Sequence, residues 1–245
     1  MSTSGYEKIG VMVAESDATQ PGTRRWRGLA PAERVTARRE QLVAAGIELM
    51  GTVGAGETSM RGICRQAGLT ERYFYESFPN LDALMTTVLE TVVLAARDHL
   101  LDALTTAPID RDAMFLHCVA AFTDFLTDDR RRGRIMFVEC QATPALTARA
   151  DELIELFTAP IALTIGAGDY RNPAPDHTDS VLNANAIFGS LAYLYRPWLT
   201  GSIPVSRERF DEHAARLLTG IALIRSGPPE PESVARERGS RESEF

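Results

Sequence analysis

Two short apolar patterns of helical period, Met60-Ile63-Cys64-Ala67 and Leu69-Phe74-Phe78, are separated by little more than Gly68. Gly68 supplies the left-handed backbone that so tight a turn demands, and Ala67 is small enough for the two helices to approach closely. Thr58 is placed to cap the first helix and Thr70 the second. The second helix then turns Thr70, Glu71, Arg72, Tyr73, Tyr75 and Glu76 outward, a polar and aromatic face on an apolar back.

Helical periodicity continues on both sides of this hairpin. Pro31 suits the first position of a helix, where its missing N–H would be unpaired anyway. Val35, Leu42, Val43, Gly46, Ile47 and Met50 mark one face from there, with Arg34, Arg38 and Arg39 off it, until Gly51 to Gly56 ends the pattern. Pro79 and Asn80 break the chain after the hairpin, and Asn80 caps a long helix over 81–106. Five further helices are predicted over 111–127, 130–141, 144–166, 178–200 and 207–225, punctuated by Pro- and Gly-containing segments. The fold class is all-α, about nine helices and no sheet. Residues 1–28 read as a flexible arm, 29–80 as a three-helix unit and 81–226 as a larger helical domain. Residues 227–245 are Pro- and charge-rich, with too little apolar surface to order themselves.

A formal net charge of -7 argues against a protein that coats nucleic acid indiscriminately. From Gln20 to Asn80, however, nine Arg stand against six Glu, while the chain from Leu81 onward is net acidic. A basic first third on an acidic body meets phosphate with one end only. No apolar run reaches the roughly 18 residues of a spanning helix, and the first residues lack the pattern of a secretory signal. Cys64, Cys118 and Cys140 are odd in number, have no CxxC spacing and sit in apolar stretches, as reduced buried thiols do. The expectation is a cytoplasmic protein with no membrane partner. The sequence contains no GxSxG, HExxH or Walker loop, and His99, His117, His177 and His213 fall on separate segments without ligand spacing. Neither catalysis, nor a metal, nor a cofactor is expected.

The stretch Thr58 to Leu84, TSMRGICRQAGLTERYFYESFPNLDAL, resembles the helix-turn-helix of the TetR family of transcriptional regulators. Thr58, Ser59, Ile63, Ala67, Gly68, Leu69, Thr70, Phe74, Tyr75, Phe78, Asn80 and Leu84 occupy matching positions. The preceding helix and its glycine-containing loop extend the resemblance to about fifty residues. It implies a prokaryotic homodimer, nucleoid-associated when bound, that holds a near-palindromic operator and acts as a repressor released by a small, largely apolar ligand. The implied DNA-contacting set is Thr58, Ser59, Arg61, Thr70, Glu71, Arg72, Tyr73, Tyr75, Ser77 and Asn80. Ser77 and Leu81 depart from the family's usual phosphate-contacting His and Lys, and Arg72 replaces a frequent Gly. Tyr75 reads either as a phosphate contact or as an edge-of-core aromatic. Arg61 and Arg65 read either as DNA contacts or as solvated groups paired with Glu57. Arg24, Arg25 and Arg27 form a basic arm of the kind that enters a minor groove, or a disordered one.

Beyond Asn80 the resemblance implies a ligand-binding and dimerising domain. Phe115, Cys118, Phe122, Phe137, Glu139, Cys140, Ile161, Thr164, Asn183, Phe188 and Tyr195 are candidate pocket linings, each with plain core as the other reading. Phe188, Leu191, Tyr195, Phe210, His213, Leu217 and Ile221 on the last two helices form candidate dimer stripes, or else intrachain core. The cluster Arg130-Arg131-Arg132-Gly133-Arg134 is a solvated face paired with Asp128 and Asp129, or a patch docked on the amino-terminal unit. The alternative functions are a helical adaptor without DNA binding and, further off, a small helical enzyme. The adaptor leaves the pattern from Thr70 to Phe78 without a reason, and the enzyme lacks a catalytic motif.

Overall fold

The computed structural model describes residues 31–167 and 175–225, and among them every regular element is helical. Ten α-helices follow in order: α1 Pro31–Thr52, α2 Met60–Ala67, α3 Glu71–Ser77, α4 Leu81–Thr105, α5 Arg111–Asp128, α6 Arg130–Phe137, α7 Pro144–Leu153, α8 Glu155–Gly166, α9 His177–Leu199 and α10 Arg207–Ala222. A 3-10 turn, Glu139–Gln141, follows α6. The all-α reading therefore stands, with two differences in detail. The helix expected over 144–166 is divided at Ile154, whose amide bonds to the Asp151 carbonyl three residues back and tightens the turn. The helix expected over 130–141 stops at Phe137, and the 3-10 turn completes it.

Side-chain caps set most of the helix starts. Ser59 Oγ accepts the Gly62 amide at 3.1 Å, so Ser59 and not Thr58 caps α2. Thr58 is buried and donates its hydroxyl to the Gly54 carbonyl at 2.7 Å. Thr70 is the N-cap residue of α3 by position but makes no capping bond, whereas Asn80 Oδ1 accepts the Ala83 amide at 2.8 Å to start α4. Gly68 ends α2 at φ 66, the left-handed geometry that an L side chain avoids.

One apolar cluster runs through all of these helices. Leu42, Met50, Ile63 and Phe74 bring α1, α2 and α3 onto Leu84, Val88 and Leu89 of α4. Val35 lies outside it and is exposed, so the buried face of α1 begins at Leu42. Further along, Phe122, Phe137, Phe157, Tyr195, Trp198 and Phe210 form an aromatic nest, with Trp198 and Phe210 stacked at 4.4 Å and Phe122 edge-on to Tyr195 at 5.2 Å. Arg207, Asp211 and Thr123 lock α10 to α5 beside it: Thr123 Oγ1 donates to Asp211 at 2.6 Å, and Arg207 pairs with both Asp124 and Asp211.

Asp129 caps α6 and holds α6 against α1. Its Oδ1 accepts the Arg131 amide at 3.1 Å and Arg131 Nε at 2.8 Å, and Arg131 reaches on to Glu48 of α1. The Arg131 side-chain hydrogen bond is the main reason that the Asp129 carboxyl lies below its ordinary value. A depressed carboxylate contributes stability that is complete above the ordinary carboxylate range and is lost as pH falls through the depressed value. Asp129→Asn keeps the cap acceptor and is accordingly expected to cost about 1 kcal/mol at neutral pH, from the lost charge-assisted pair with Arg131. Its unfolding free energy should also fall less steeply on acidification than that of the parent, as read by urea denaturation across pH. An unchanged acid limb would place the Arg131–Asp129 contact outside the stability balance.

Candidate nucleic-acid interface and ligand cavity

Helix α3 is fixed from behind and open in front. Phe74 is 0% exposed and Phe78 is buried, while Tyr75 is 59% exposed and the Arg72 side chain 84%. Tyr73 is half-buried under the guanidinium of Arg38, 4.2 Å from its ring centroid. The two acids on this helix are both engaged by arginines. Arg61 Nε donates to Glu71 at 3.2 Å, Arg72 Nε donates to Glu76 at 3.0 Å, and Arg38 lies 3.6 Å from Glu76. Arg61 therefore pairs with Glu71 across the turn, not with Glu57. These exposed pairs hold loosely, so each arginine can exchange its carboxylate for a phosphate at little cost.

The other expected contact residues are unevenly placed. Ser59, Thr70 and Asn80 are exposed, with the Ser59 and Asn80 side chains engaged as caps, and Ser77 is half-buried at the end of α3. Thr58 is corrected: it is buried and its hydroxyl is engaged, so it presents nothing to a duplex. Arg24, Arg25 and Arg27 lie outside the described residues, as do 1–28 and the tail 227–245.

A cavity of about 300 Å³ opens among α4 to α9. Phe115, Cys118, Phe122, Phe137, Cys140, Ile161, Thr164, Phe188 and Tyr195 all line it. Its walls are mostly apolar, and the titratable groups among them are held neutral where they are buried. Burial pushes the Cys118 thiol up to about 11 and raises that of Cys140, so both thiols stay protonated at neutral pH. Burial likewise raises the Tyr195 hydroxyl, which is bonded to Thr123 Oγ1 at 2.8 Å. Arg97 and Arg196 bring positive charge to this cavity and Asp151 a negative one, Arg196 donating to Gln141 Oε1 at 3.2 Å and Arg97 to Asp98. Sequence reasoning missed both arginines. The signal for Arg97 was present, as a single cation inside the long apolar pattern of α4.

Two of the expected linings lie elsewhere. Asn183 donates to the Ile224 carbonyl at 2.8 Å and ties α9 to the end of α10. Glu139 is buried with its carboxylate turned toward α1, not toward the cavity, because the 3-10 turn rotates it off the face that Phe137 and Cys140 share.

Residues 42–88, which span the end of α1, both hairpin helices and the start of α4, match the profile described as bacterial regulatory proteins, tetR family. Over that stretch the chain is similar to the tetR family. No curated protein matches the chain in sequence. Solved structures extend the likeness to the whole TetR-type fold. The fatty acid degradation regulator FadR from Bacillus halodurans superposes with a TM-score of 0.65 at 16% identity, covering 75% of this chain and 95% of that one. FadR from Bacillus subtilis, solved in complex with stearoyl-CoA, gives 0.63 at 14% identity over 73% and 96%. A tetR-family transcriptional regulator from Streptomyces coelicolor gives 0.60 at 16% identity over 76% and 80%.

Within this TetR-type architecture the dimer stripes need revision. Tyr195 is 0% and Phe210 5% exposed, both inside the aromatic nest, so neither can form an intersubunit surface. Phe188 and Leu191 turn toward the cavity. His213 is exposed, and Leu217 and Ile221 are half-buried on α10. The outward apolar surface of the last two helices is instead Val181, Leu182 and Tyr193 with Leu223 and Ile224 just past α10. Among the described residues no single helix is long and apolar enough to cross a membrane.

Proposed function

We propose that this chain is a dimeric, sequence-specific transcriptional repressor of the bacterial cytoplasm, released from its operator by an elongated, largely apolar ligand with an acidic end. The observation that carries the reading is the pairing of an exposed Arg72–Tyr75 face, on a helix anchored by buried Phe74, with an apolar cavity in the adjoining helices. A regulator, not a catalyst, accounts for both. The cavity is of the size that holds a small organic molecule. Its apolar walls suit an acyl or comparable hydrocarbon body, and Arg97 and Arg196 suit an anionic end. The stearoyl-CoA bound by the Bacillus subtilis neighbour supports that ligand class.

One seven-residue reader contacts too few bases for useful specificity, so two copies must act together about 34–36 Å apart on one face of the duplex. The outer face of α9 and α10 is suited to pairing by two-fold symmetry. Leu182, Gly189 and Tyr193 run along α9, and Leu217 and Gly220 share one side of α10, with Ile224 just past its end. A Cβ built on Gly189 or Gly220 meets nothing within 4 Å in the chain itself, which leaves room for a second helix. Gly220→Arg is expected to leave thermal unfolding of the chain little changed and to convert the dimer to monomer in sedimentation velocity. A Gly220→Arg protein that stays dimeric would move the interface to another face.

Selection from a pool of random duplexes at physiological salt tests the function directly. The expected product is a near-palindrome whose binding weakens when stearate or stearoyl-CoA is added. A pool with no enriched sequence would overturn the reading.

A further inference from the structure

Glu139 is a buried carboxylate, 7% exposed, that neither the reader nor the cavity uses. Its Oε2 accepts the backbone N–H of Ala55 at 2.7 Å, in the loop between α1 and α2. Its Oε1 accepts Arg134 Nε at 2.8 Å, and Arg134 in turn donates to the Thr52 carbonyl at the end of α1. The pair thus satisfies one carbonyl and one amide of a loop that α1 cannot satisfy by itself. Gly54, between them, has φ 103, and a Cβ there would lie 2.9 Å from the Arg134 guanidinium and 3.2 Å from the carboxylate. The Gly54 carbonyl accepts the Thr58 hydroxyl, and Ser59 next to it caps α2. From Glu139 to the start of the hairpin every step is a hydrogen bond or a peptide bond.

The same few residues wall the cavity. Met136 and Phe137, at the end of α6, line it, as do Cys140 and Gln141 on either side of the next bond. Along this stretch the chain alternates between the two jobs: Arg134 and Glu139 hold the loop, and their neighbours face the cavity. Glu139–Gln141 is a 3-10 turn, with poorer hydrogen-bond geometry than the α-helix before it, so a ligand that displaces Phe137 or Cys140 shifts Glu139 between them as well.

We infer that the Glu139–Arg134 pair is the latch that passes cavity occupancy to the DNA reader. This rests on the ligand-gated regulator proposed above and names the residues that gate it. In the empty state the carboxylate grips Ala55 and holds α2 and α3 at their working angle. Occupancy shifts the 3-10 turn, the Ala55 N–H loses its acceptor, and the loop opens to water. The latch has two states and little between them, because a buried carboxylate half-removed from its donors is unfavourable. Glu139 is a positioning residue: it touches neither duplex nor ligand.

Full-length protein tests this with occupancy imposed in two ways, by stearate and by Cys118→Trp, which puts an indole into the cavity. Either should speed amide exchange at Ala55 by about tenfold or more. Each should also weaken binding to the selected duplex by about tenfold. In Glu139→Gln, stearate affinity should stay within about twofold of the parent while the response of duplex binding to occupancy falls below about twofold. Ala55 exchange needs no change at Glu139, so the outcome stands even if that variant is destabilised, and Cys118→Trp carries the comparison if stearate does not bind. A filled cavity with unchanged Ala55 protection, or a Glu139→Gln protein that responds as the parent does, overturns the latch. If Ala55 opens but duplex affinity does not change, occupancy reaches the loop and not the reader, and the latch and the ligand-gated reading both fail; if duplex binding weakens while Ala55 stays protected, the ligand-gated reading stands and the latch alone fails.

Discussion

Replacing Arg72 and Tyr75 by alanine is expected to abolish specific duplex binding while leaving the fold intact. Each side chain stands on the open face of α3, Arg72 at 84% exposure and Tyr75 at 59%. A base-edge or phosphate contact of this kind is worth about 1–3 kcal/mol, so each single variant should bind roughly 5- to 150-fold more weakly. The double variant should fall near the non-specific level. Stability should hardly change: the Arg72–Glu76 pair is an exposed i,i+4 contact that adds a few tenths of a kcal/mol at most. Fluorescence anisotropy at several salt concentrations separates the roles. Loss that is uniform across sequences, with a shallower salt slope, marks a phosphate contact, whereas relaxed preference at one position marks a base contact. Unchanged affinity in the double variant would mean that α3 is not the reader.

The acids on that helix sharpen the expectation. Glu71 and Glu76 would repel phosphate if they stood alone, yet Arg61, Arg72 and Arg38 engage them across the turn and along the helix. The basic balance of the first third of the sequence is therefore smaller at the reading face than a count of arginines suggests. Charge composition alone could not have shown this, since it depends on which residues meet across the hairpin.

What the sequence revealed, and what it hid, follows from the range of the forces involved. The hairpin was readable because its determinants are local: a left-handed Gly68, a small Ala67, and Phe74 and Phe78 at helical spacing. The cap at α2 was misplaced by one residue because Thr58 and Ser59 carry the same group. Only the distant demand of the Gly54 carbonyl for a donor decides between them. Tyr195 and Phe210 fell on stripes of helical period that could have met a partner, but period does not say which neighbour a stripe faces. Their size and the Thr123 hydroxyl drew them into the chain's own core. Glu139 followed an apolar run that looked like continuing helix. The helix ends at Phe137 instead, and a turn of different pitch aims the carboxylate at α1. The cavity linings were found as a set because most large apolar residues of the middle helices point inward, and the cavity lies where they fail to fill the space.

Phe74→Ala should give the reverse of the readings expected for its neighbour Tyr75→Ala. Phe74 is fully buried, with the Tyr75 ring edge-on at 5.6 Å and Phe78 at 6.0 Å, in the cluster that joins Ile63, Leu42 and Met50 to α4. Truncating so enclosed a ring costs roughly 3–5 kcal/mol, transfer and cavity together. Helix α3 has seven residues, too few to persist without tertiary contacts, so the loss should be felt there first. Hydrogen exchange is expected to show the amides of α2 and α3 opening by a local route while α5 and α10, locked by Thr123 and Asp211, keep their protection. Duplex binding should then fail because the reader is unfolded, whereas in Tyr75→Ala it fails with stability within about 0.5 kcal/mol of the parent. Adjacent residues on a helix point about 100° apart, and the contrast measures that geometry in solution. If Tyr75→Ala proved the more destabilising of the two, the inner and outer faces of α3 would be interchanged, and the surface assigned to the operator would be core.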